Sequence, residues 1–147
     1  MTTFSSDELA DLASQVLESI VFAFSEPLDT LPPYNAEKFL TGEVTYSGSH
    51  TGKLTIVAPA SLCQDWADMM SSKHSPTIVF DTLAELTNIV AGHWVSRHFA
   101  KDDKVNLNPP TVCETVQSSW EALANDPSTV ALCIDDRPLV VQVTIQE

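Results

Sequence analysis

The chain has 147 residues, 44% of them apolar, which suits one domain with a sizeable core and argues against disorder. Its 20 acidic residues face only 7 Lys and Arg, giving a formal net charge of −13. A surface of this sign repels phosphate backbones and anionic lipid heads, so nucleic acid and membrane surfaces are poor partners. We therefore expect a single domain over residues 1–147.

The sequence shows neither a basic start followed by an apolar run nor an apolar stretch of about 20 residues, so no signal peptide or membrane span is expected. Cys63, Cys113 and Cys133 are odd in number, widely spaced and mostly in apolar surroundings. We interpret them as buried free thiols in a reducing compartment and predict a cytoplasmic protein.

The N-terminal half shows two helical patterns around a β-rich region. Ser5 and Glu8 have the spacing of a capping box, and the apolar residues behind them predict an amphipathic helix over residues 6–25, with Phe24 on its core stripe. Two β-rich runs, 39–46 and 53–57, are joined by a polar, glycine-containing segment that predicts a hairpin. Two further helices are expected. The first begins at Pro59 and runs to Met70, and the second spans residues 78–100.

The C-terminal part is predicted to contain mainly strands. The pattern indicates strands at 111–116, 130–134 and 139–145, a helical turn at 120–125, and a hairpin turn at 135–138. Because antiparallel hairpins dominate and helices do not alternate with strands, the predicted fold class is α+β. We expect an antiparallel β-sheet with helices packed on one face, in the order α-ββ-α-α-βββ.

The helix predicted at 78–100 has two distinct faces. Its apolar residues Leu83, Leu86, Val90 and Trp94 fall within an arc of roughly 80° at helical spacing. The opposite face carries four other residues: Asp81, Glu85, Asn88 and Gly92. A glycine inside an exposed helix costs about 1 kcal/mol relative to alanine, so a face that keeps one is suited to close approach by a partner.

Spacing alone leaves this face open to two interpretations. Glu85 and Asn88 can be ordinary solvated residues, and Gly92 can admit a neighbouring element of the same fold. Asp81, one turn earlier, is interpreted mainly as an N-terminal acid stabilised by the helix dipole.

The segment Asp81-Thr-Leu-Ala-Glu-Leu-Thr-Asn-Ile-Val-Ala-Gly92 resembles the signature helix of the CheC/CheX/FliY chemotaxis phosphatases. That signature has an acidic residue, then Glu-x-x-Asn, an aliphatic pair and a glycine. A single copy is typical of the CheX type, and the order of elements is similar over nearly the whole chain. One departure is His93, where many relatives have asparagine.

The resemblance implies an enzyme that removes phosphate from the aspartyl phosphate of a CheY-like response regulator in chemotaxis or two-component signalling. Asn88 would position the attacking water, because an amide can accept from a water and donate elsewhere but is no useful base. Glu85 would anchor the partner's lysine through a charge-assisted contact. Gly92, Ala84 and Ser96, together with Asp81, would form the partner-binding surface.

The resemblance also implies cofactors and partners. No cofactor of its own is expected, since the response regulator would supply Mg²⁺. CheX proteins form homodimers through sheet-mediated contacts, and the β-forming run 139–145 would need such protection if it lay at a sheet edge. We therefore expect a homodimer.

Other functions remain as alternatives. The chain could be a non-catalytic docking module for a response regulator or flagellar-switch partner, or a structural homodimer without a regulator partner. No metal site of its own is predicted, because His93 and His98 are five residues apart rather than four and no third ligand is near in sequence.

Overall fold

The computed structural model of the chain describes residues 6–29, 33–36, 38–70, 77–123, 126 and 128–146. Within these residues it contains four helices and seven strands. In chain order they are α1 (Ser6–Val21), β1 (Glu26–Leu28), β2 (Phe39–Gly48), β3 (Thr51–Pro59), α2 (Ala60–Met70), α3 (Ile78–His98), β4 (Val105–Leu107), β5 (Thr111–Thr115), α4 (Gln117–Leu123), β6 (Thr129–Ile134) and β7 (Arg137–Gln146).

The strands form one antiparallel sheet in the order β1-β6-β7-β3-β2, and both β4 and β5 pair with the far side of β2. Its two main hairpins are the predicted ones, β2–β3 and β6–β7. The β6–β7 turn contains Asp135 and Asp136, with φ of 51° and 61°. Two consecutive positive φ values suit the strand twist of a tight hairpin. The predicted α+β class with an antiparallel sheet is confirmed.

The observed order of elements, α-βββ-αα-ββ-α-ββ, contains two strands that the sequence did not predict. These are β1 and β4, each of three residues, which is too short for an alternation pattern to be visible. The C-terminal run 139–145 lies in β7, between β6 and β3. It therefore does not form a sheet edge, so the condition under which it would need protection by a second copy is not met.

Helices α1, α2 and α3 cover one face of the sheet and enclose the larger core. The apolar residues of α3 predicted to face inward are all buried there: Leu83, Leu86, Val90 and Trp94. Alternate residues of the strands meet them, including Leu40 and Val44 of β2 and Leu54 of β3. This layer fixes which side of α3 points away from the sheet.

The opposite face of the sheet carries a smaller core under α4. Trp120 of α4 is stacked on Phe39, with ring centroids 4.6 Å apart, and both pack with Val57, Ala131 and Val140. Three helices thus lie on one face as predicted, while the short α4 lies on the other. All three tryptophans of the chain are buried, as expected for core residues.

Several expectations about local structure need correction. Helix α1 ends at Val21 rather than at residue 25, because the next residue, Phe22, adopts a positive φ of 54°. Phe24 consequently lies outside the helix and is 73% exposed instead of joining the core. Of the three free cysteines only Cys63 is buried, whereas Cys113 is exposed on β5. The capping-box residue Ser5 lies outside the described residues.

Helix α3 lies directly against β2 because of one glycine. A Cβ on Gly42 would collide with the hydroxyl of Thr87 and press on Leu83. Thr87 itself is fully buried, and its hydroxyl donates to the Leu83 carbonyl at 2.7 Å, so its polar atom is satisfied within the helix. Gly42 therefore sets the distance at which α3 and its outer face are held above the sheet.

Candidate functional site on the outer face of helix α3

Helix α3 begins after Thr77 and its first turn is closed by Asp81. The Asp81 amide donates to the Thr77 carbonyl at 2.8 Å, and the Thr77 hydroxyl donates to the Asp81 carboxylate at 3.0 Å. A carboxylate in the first turn is also favourable to the helix dipole. These contacts support the interpretation of Asp81 as a helix-terminal residue.

The outer face of α3 carries six residues that we name the α3 strip. Asp81, Glu85 and Ser96 are exposed, and Ala84, Asn88 and Gly92 are half-buried. All six sequence-predicted site residues therefore lie on the surface away from the sheet. The strip is a row on one helix rather than the wall of a deep pocket.

Glu85 and Asn88 are the two chemically capable groups of the α3 strip. Among the described residues, neither side chain forms a hydrogen bond or an ion pair with another residue. A buried Asn88 engaged within the fold would have assigned it a structural role. Instead a carboxylate and an amide, one helical turn apart, remain available to an incoming molecule.

Gly92 lies where β4 approaches the helix. A Cβ added to Gly92 would meet only the Leu107 side chain, at 3.8 Å, which is ordinary van der Waals contact. The fold itself therefore does not require a glycine at this position. The interpretation that Gly92 makes room for a neighbouring element of the same chain loses its support.

His93, the departure from the family pattern, faces away from the α3 strip. It lines a cleft of about 140 Å³ between α1 and α3, together with Ile89 and Arg97. The departure at residue 93 therefore lies on the side of α3 that faces α1, and it is not one of the six residues of the α3 strip.

A larger cleft of about 380 Å³ lies further along the same two helices, and its lining includes Glu8, Arg97 and His98. His98 is stacked on Trp94, with ring centroids 4.3 Å apart. Burial is the main cause that lowers the pKa of His98, opposed by the nearby Glu8 and reinforced by His50. Sequence spacing did not indicate this cleft, because its residues come from two distant helices.

A third cavity, of about 220 Å³, lies at the C-terminal end of the α3 strip. It is lined by Val95, Ser96 and Phe99 of the helix end and by residues of the loop that follows, including Lys101. Of these residues only Ser96 was predicted to belong to the site. Most of the others follow the helix in a segment that carries Lys101 and Lys104 beside two aspartates, so its local charge pattern does not indicate a binding site.

The described part of the chain offers neither a cluster of metal ligands nor a membrane-spanning helix. Within the described ranges, no three His, Cys, Asp or Glu side chains are grouped so that they could hold a metal ion. None of the helices in the described part of the chain combines the length and apolarity that a membrane crossing requires.

Comparison with solved structures shows related folds. A chain of the CheX–CheY–BeF₃–Mg²⁺ complex from Borrelia burgdorferi aligns with a TM-score of 0.68 at 20% identity, covering 99% of this chain and 100% of that one. CheX from Desulfovibrio desulfuricans aligns with a TM-score of 0.69 at 13% identity, covering 96% of this chain and 98% of that one. CheX from Vibrio vulnificus aligns with a TM-score of 0.69 at 12% identity, covering 98% of this chain and 100% of that one. At such low identities these likenesses establish the fold alone.

The sequence comparison establishes the family. No curated protein matches the chain. A family model described as chemotaxis phosphatase CheX, however, matches residues 40–133, which is well over half of the sequence and includes all of α3. The chain thus belongs to the CheX family of chemotaxis phosphatases.

Proposed function

We propose that residues 1–147 form one phosphatase domain that hydrolyses the aspartyl phosphate of a CheY-like response regulator. The observation that carries the proposal is the pair Glu85 and Asn88, which are without partners among the described residues on an accessible helix face inside the family-matched segment. In the similar structure from Borrelia burgdorferi, CheX forms a complex with CheY, BeF₃ and Mg²⁺.

Asn88 positions the attacking water. Phosphoryl transfer to water needs an in-line nucleophile and charge stabilisation more than covalent chemistry from the protein. The carboxamide oxygen accepts a hydrogen bond from the water, while its NH₂ group donates to an oxygen of the reacting centre. Because Asn88 is held on a rigid helix, the orientation is fixed before the regulator arrives.

Glu85 anchors a lysine of the regulator. Its carboxylate is exposed, so it enters a charge-assisted contact without first breaking an internal ion pair. The small residues Ala84, Gly92 and Ser96 leave space for the regulator's loops along the α3 strip. Asp81, tied to Thr77, shapes the start of this surface.

The regulator supplies the metal and the phosphoryl group. The chain contributes two side chains from one helix, which complete an active site located mainly on the partner. This division explains how a row of side chains on the surface of one helix can carry the reaction, in a cytoplasmic protein that meets a cytoplasmic regulator.

The expected homodimer has to use an edge strand other than β7. In the described residues, β1 pairs only with β6, and β5 only with β2. The outer side of either strand can accept a strand from a second copy. We place the sheet-mediated dimer contact at one of these edges.

The test is the decay of a phosphorylated CheY-type regulator with wild-type protein and with Asn88→Ala. We expect wild-type protein to accelerate decay and Asn88→Ala to lose about a hundredfold or more in kcat, since one positioned group is removed from the transition state. Binding to the regulator should be retained. Gln64→Ala is the matched control, because it removes an amide from the exposed face of another helix.

Two outcomes would contradict the proposal. If wild-type protein binds the regulator without changing its decay, the docking-module function replaces the phosphatase. If Asn88→Ala keeps wild-type kcat, another residue positions the water.

A further inference from the structure

The cavity at the C-terminal end of the α3 strip is built by a loop that the fold holds in place. The Ser49 amide donates to the Lys104 carbonyl at 2.8 Å, and the Lys104 amide donates to the Ser49 hydroxyl at 3.0 Å. Asp103 accepts from His50 at 2.9 Å and from the Ala100 amide at 3.3 Å. These bonds tie loop 100–104 to the β2–β3 turn, so the cavity wall exists before any partner binds.

Gly48 makes this attachment possible. It has a φ of +121°, and a Cβ there would collide with the Lys104 carbonyl. The turn and the loop therefore approach each other at a distance that only glycine permits. Such close fixation is consistent with a preformed recognition surface.

Basic residues are denser in segment 97–104 than in the chain as a whole. Three of the seven Lys and Arg residues of the sequence, Arg97, Lys101 and Lys104, lie there beside two acids, Asp102 and Asp103, in a protein with a net charge of −13. The other described cations are engaged: Lys38 with Glu114, Lys53 with Glu43, and Arg137 with Asp65.

Lys101 is the cation that borders the cavity. Neither Lys101 nor Lys104 forms an ion pair with any residue in the described part of the chain. Of the two neighbouring acids, Asp102 is exposed, whereas the Asp103 carboxylate is occupied by His50. Lys101 thus lines a cavity whose walls also include Val95, Val105 and the His50-bound Asp103, and within the described residues its ammonium has no ion pair.

We propose that this cavity binds an acidic side chain of the response regulator, with its carboxylate on Lys101 and its methylene groups between the apolar walls. The inference rests on the proposed function and extends it to the orientation of the partner. Glu85 on the α3 strip binds a cation of the regulator, and Lys101, beyond the C-terminal end of the strip, binds an anion. The two contacts lie about 20 Å apart at 1.5 Å per helical residue, so only one docking direction satisfies both.

The distance from Asn88 determines what Lys101 can affect. The nearest helix residue of the cavity, Val95, lies about 10 Å along the helix from Asn88, and Phe99, which precedes Lys101, lies about 16 Å from it, so Lys101 is out of direct reach of the phosphoryl group. Lys101 consequently contributes to binding of the regulator and not to the chemical step.

The experiment measures KM, kcat and regulator binding for Lys101→Gln and Lys101→Glu in the full chain. We expect KM to rise about threefold for Lys101→Gln, which removes the charge, and about tenfold for Lys101→Glu, which reverses it. The kcat should be unchanged in both variants. The difference from wild type should shrink at about 0.5 M salt, where exposed charges are screened. Lys38→Gln is the control, because it makes the same change in net charge from an exposed lysine elsewhere.

A rescue experiment identifies the partner group. Individual Asp and Glu residues of the regulator are changed to Lys, and one of them should restore binding to Lys101→Glu without improving Glu85→Lys. If wild-type protein accelerates decay but the Lys101 variants keep wild-type KM and binding, this inference fails while the phosphatase stands. A lowered melting temperature with unchanged KM would show that Lys101 serves only the helix C-terminus.

Discussion

The two faces of helix α3 are built from the same 21 residues and perform opposite tasks. The inner face is fully buried, fixed against β2 by Gly42, and has its threonine hydroxyls bonded back to the helix. Glu85 and Asn88 on the outer face have no such internal bonds among the described residues. Helix α3 is therefore held in place mainly by its inner face, so Glu85 and Asn88 are free to act on another molecule.

The sharpest test of this comparison uses the adjacent residues Glu85 and Leu86. Leu86 is fully buried, so Leu86→Ala should lower the free energy of unfolding by about 2–5 kcal/mol through lost burial and a cavity. Glu85→Ala should change it by less than about 0.5 kcal/mol, as an exposed substitution does. Urea unfolding midpoints measure both.

The loss of activity should follow the opposite order, with Glu85→Ala more affected than Leu86→Ala. At a temperature where both variants are folded, Glu85→Ala should lose roughly tenfold to a hundredfold in kcat/KM, because the contact with the regulator's lysine is removed. Leu86→Ala should keep near wild-type kcat/KM per folded molecule. Equal losses of stability in the two variants would show that the outer face also supports the fold.

Gly92→Ala provides a smaller but more specific test. Alanine should stabilise the helix by up to about 1 kcal/mol, since the new methyl group meets only Leu107 at an ordinary distance. If Gly92 serves the partner, the same methyl group should weaken regulator binding about tenfold by obstructing close approach. A variant that is more stable and equally active would remove Gly92 from the binding surface.

The sequence was informative about α3 because the two faces differ in residue type at helical spacing. The buried side was predicted correctly from four apolar residues, Leu83, Leu86, Val90 and Trp94. The family model confirmed the resemblance to the CheX family that the residues of the outer face carry. The β2–β3 and β6–β7 hairpins were also predicted correctly, from alternating residues and turn residues. Helix α1 was predicted too long, because nothing in its apolar pattern shows that Phe22 turns the backbone to a positive φ.

The remaining features depend on contacts between segments far apart in the sequence. The cavity beside Lys101 requires loop 100–104 to be tied to Ser49 and His50, some 50 residues earlier. Strand β4 exists only because β2 offers it an edge. The position of β7 inside the sheet follows from its pairing with β3, which no local pattern specifies.

The smallest expected effect concerns His98, at the end of α3 where the two faces meet. Because burial lowers its pKa below the ordinary 6.5, the unfolded chain binds a proton at a pH where the folded protein does not. Stability should therefore fall as the pH drops below about 6.5 and should be unaffected by this group above it. Melting temperatures from pH 7.5 to 5.5 measure the slope, which His98→Gln should reduce; His93→Gln is the control, because it makes the same substitution at an exposed position of the same helix. An unchanged slope in His98→Gln would mean that the α1–α3 cleft hydrates and accommodates the charged imidazole, with Glu8 offsetting the burial.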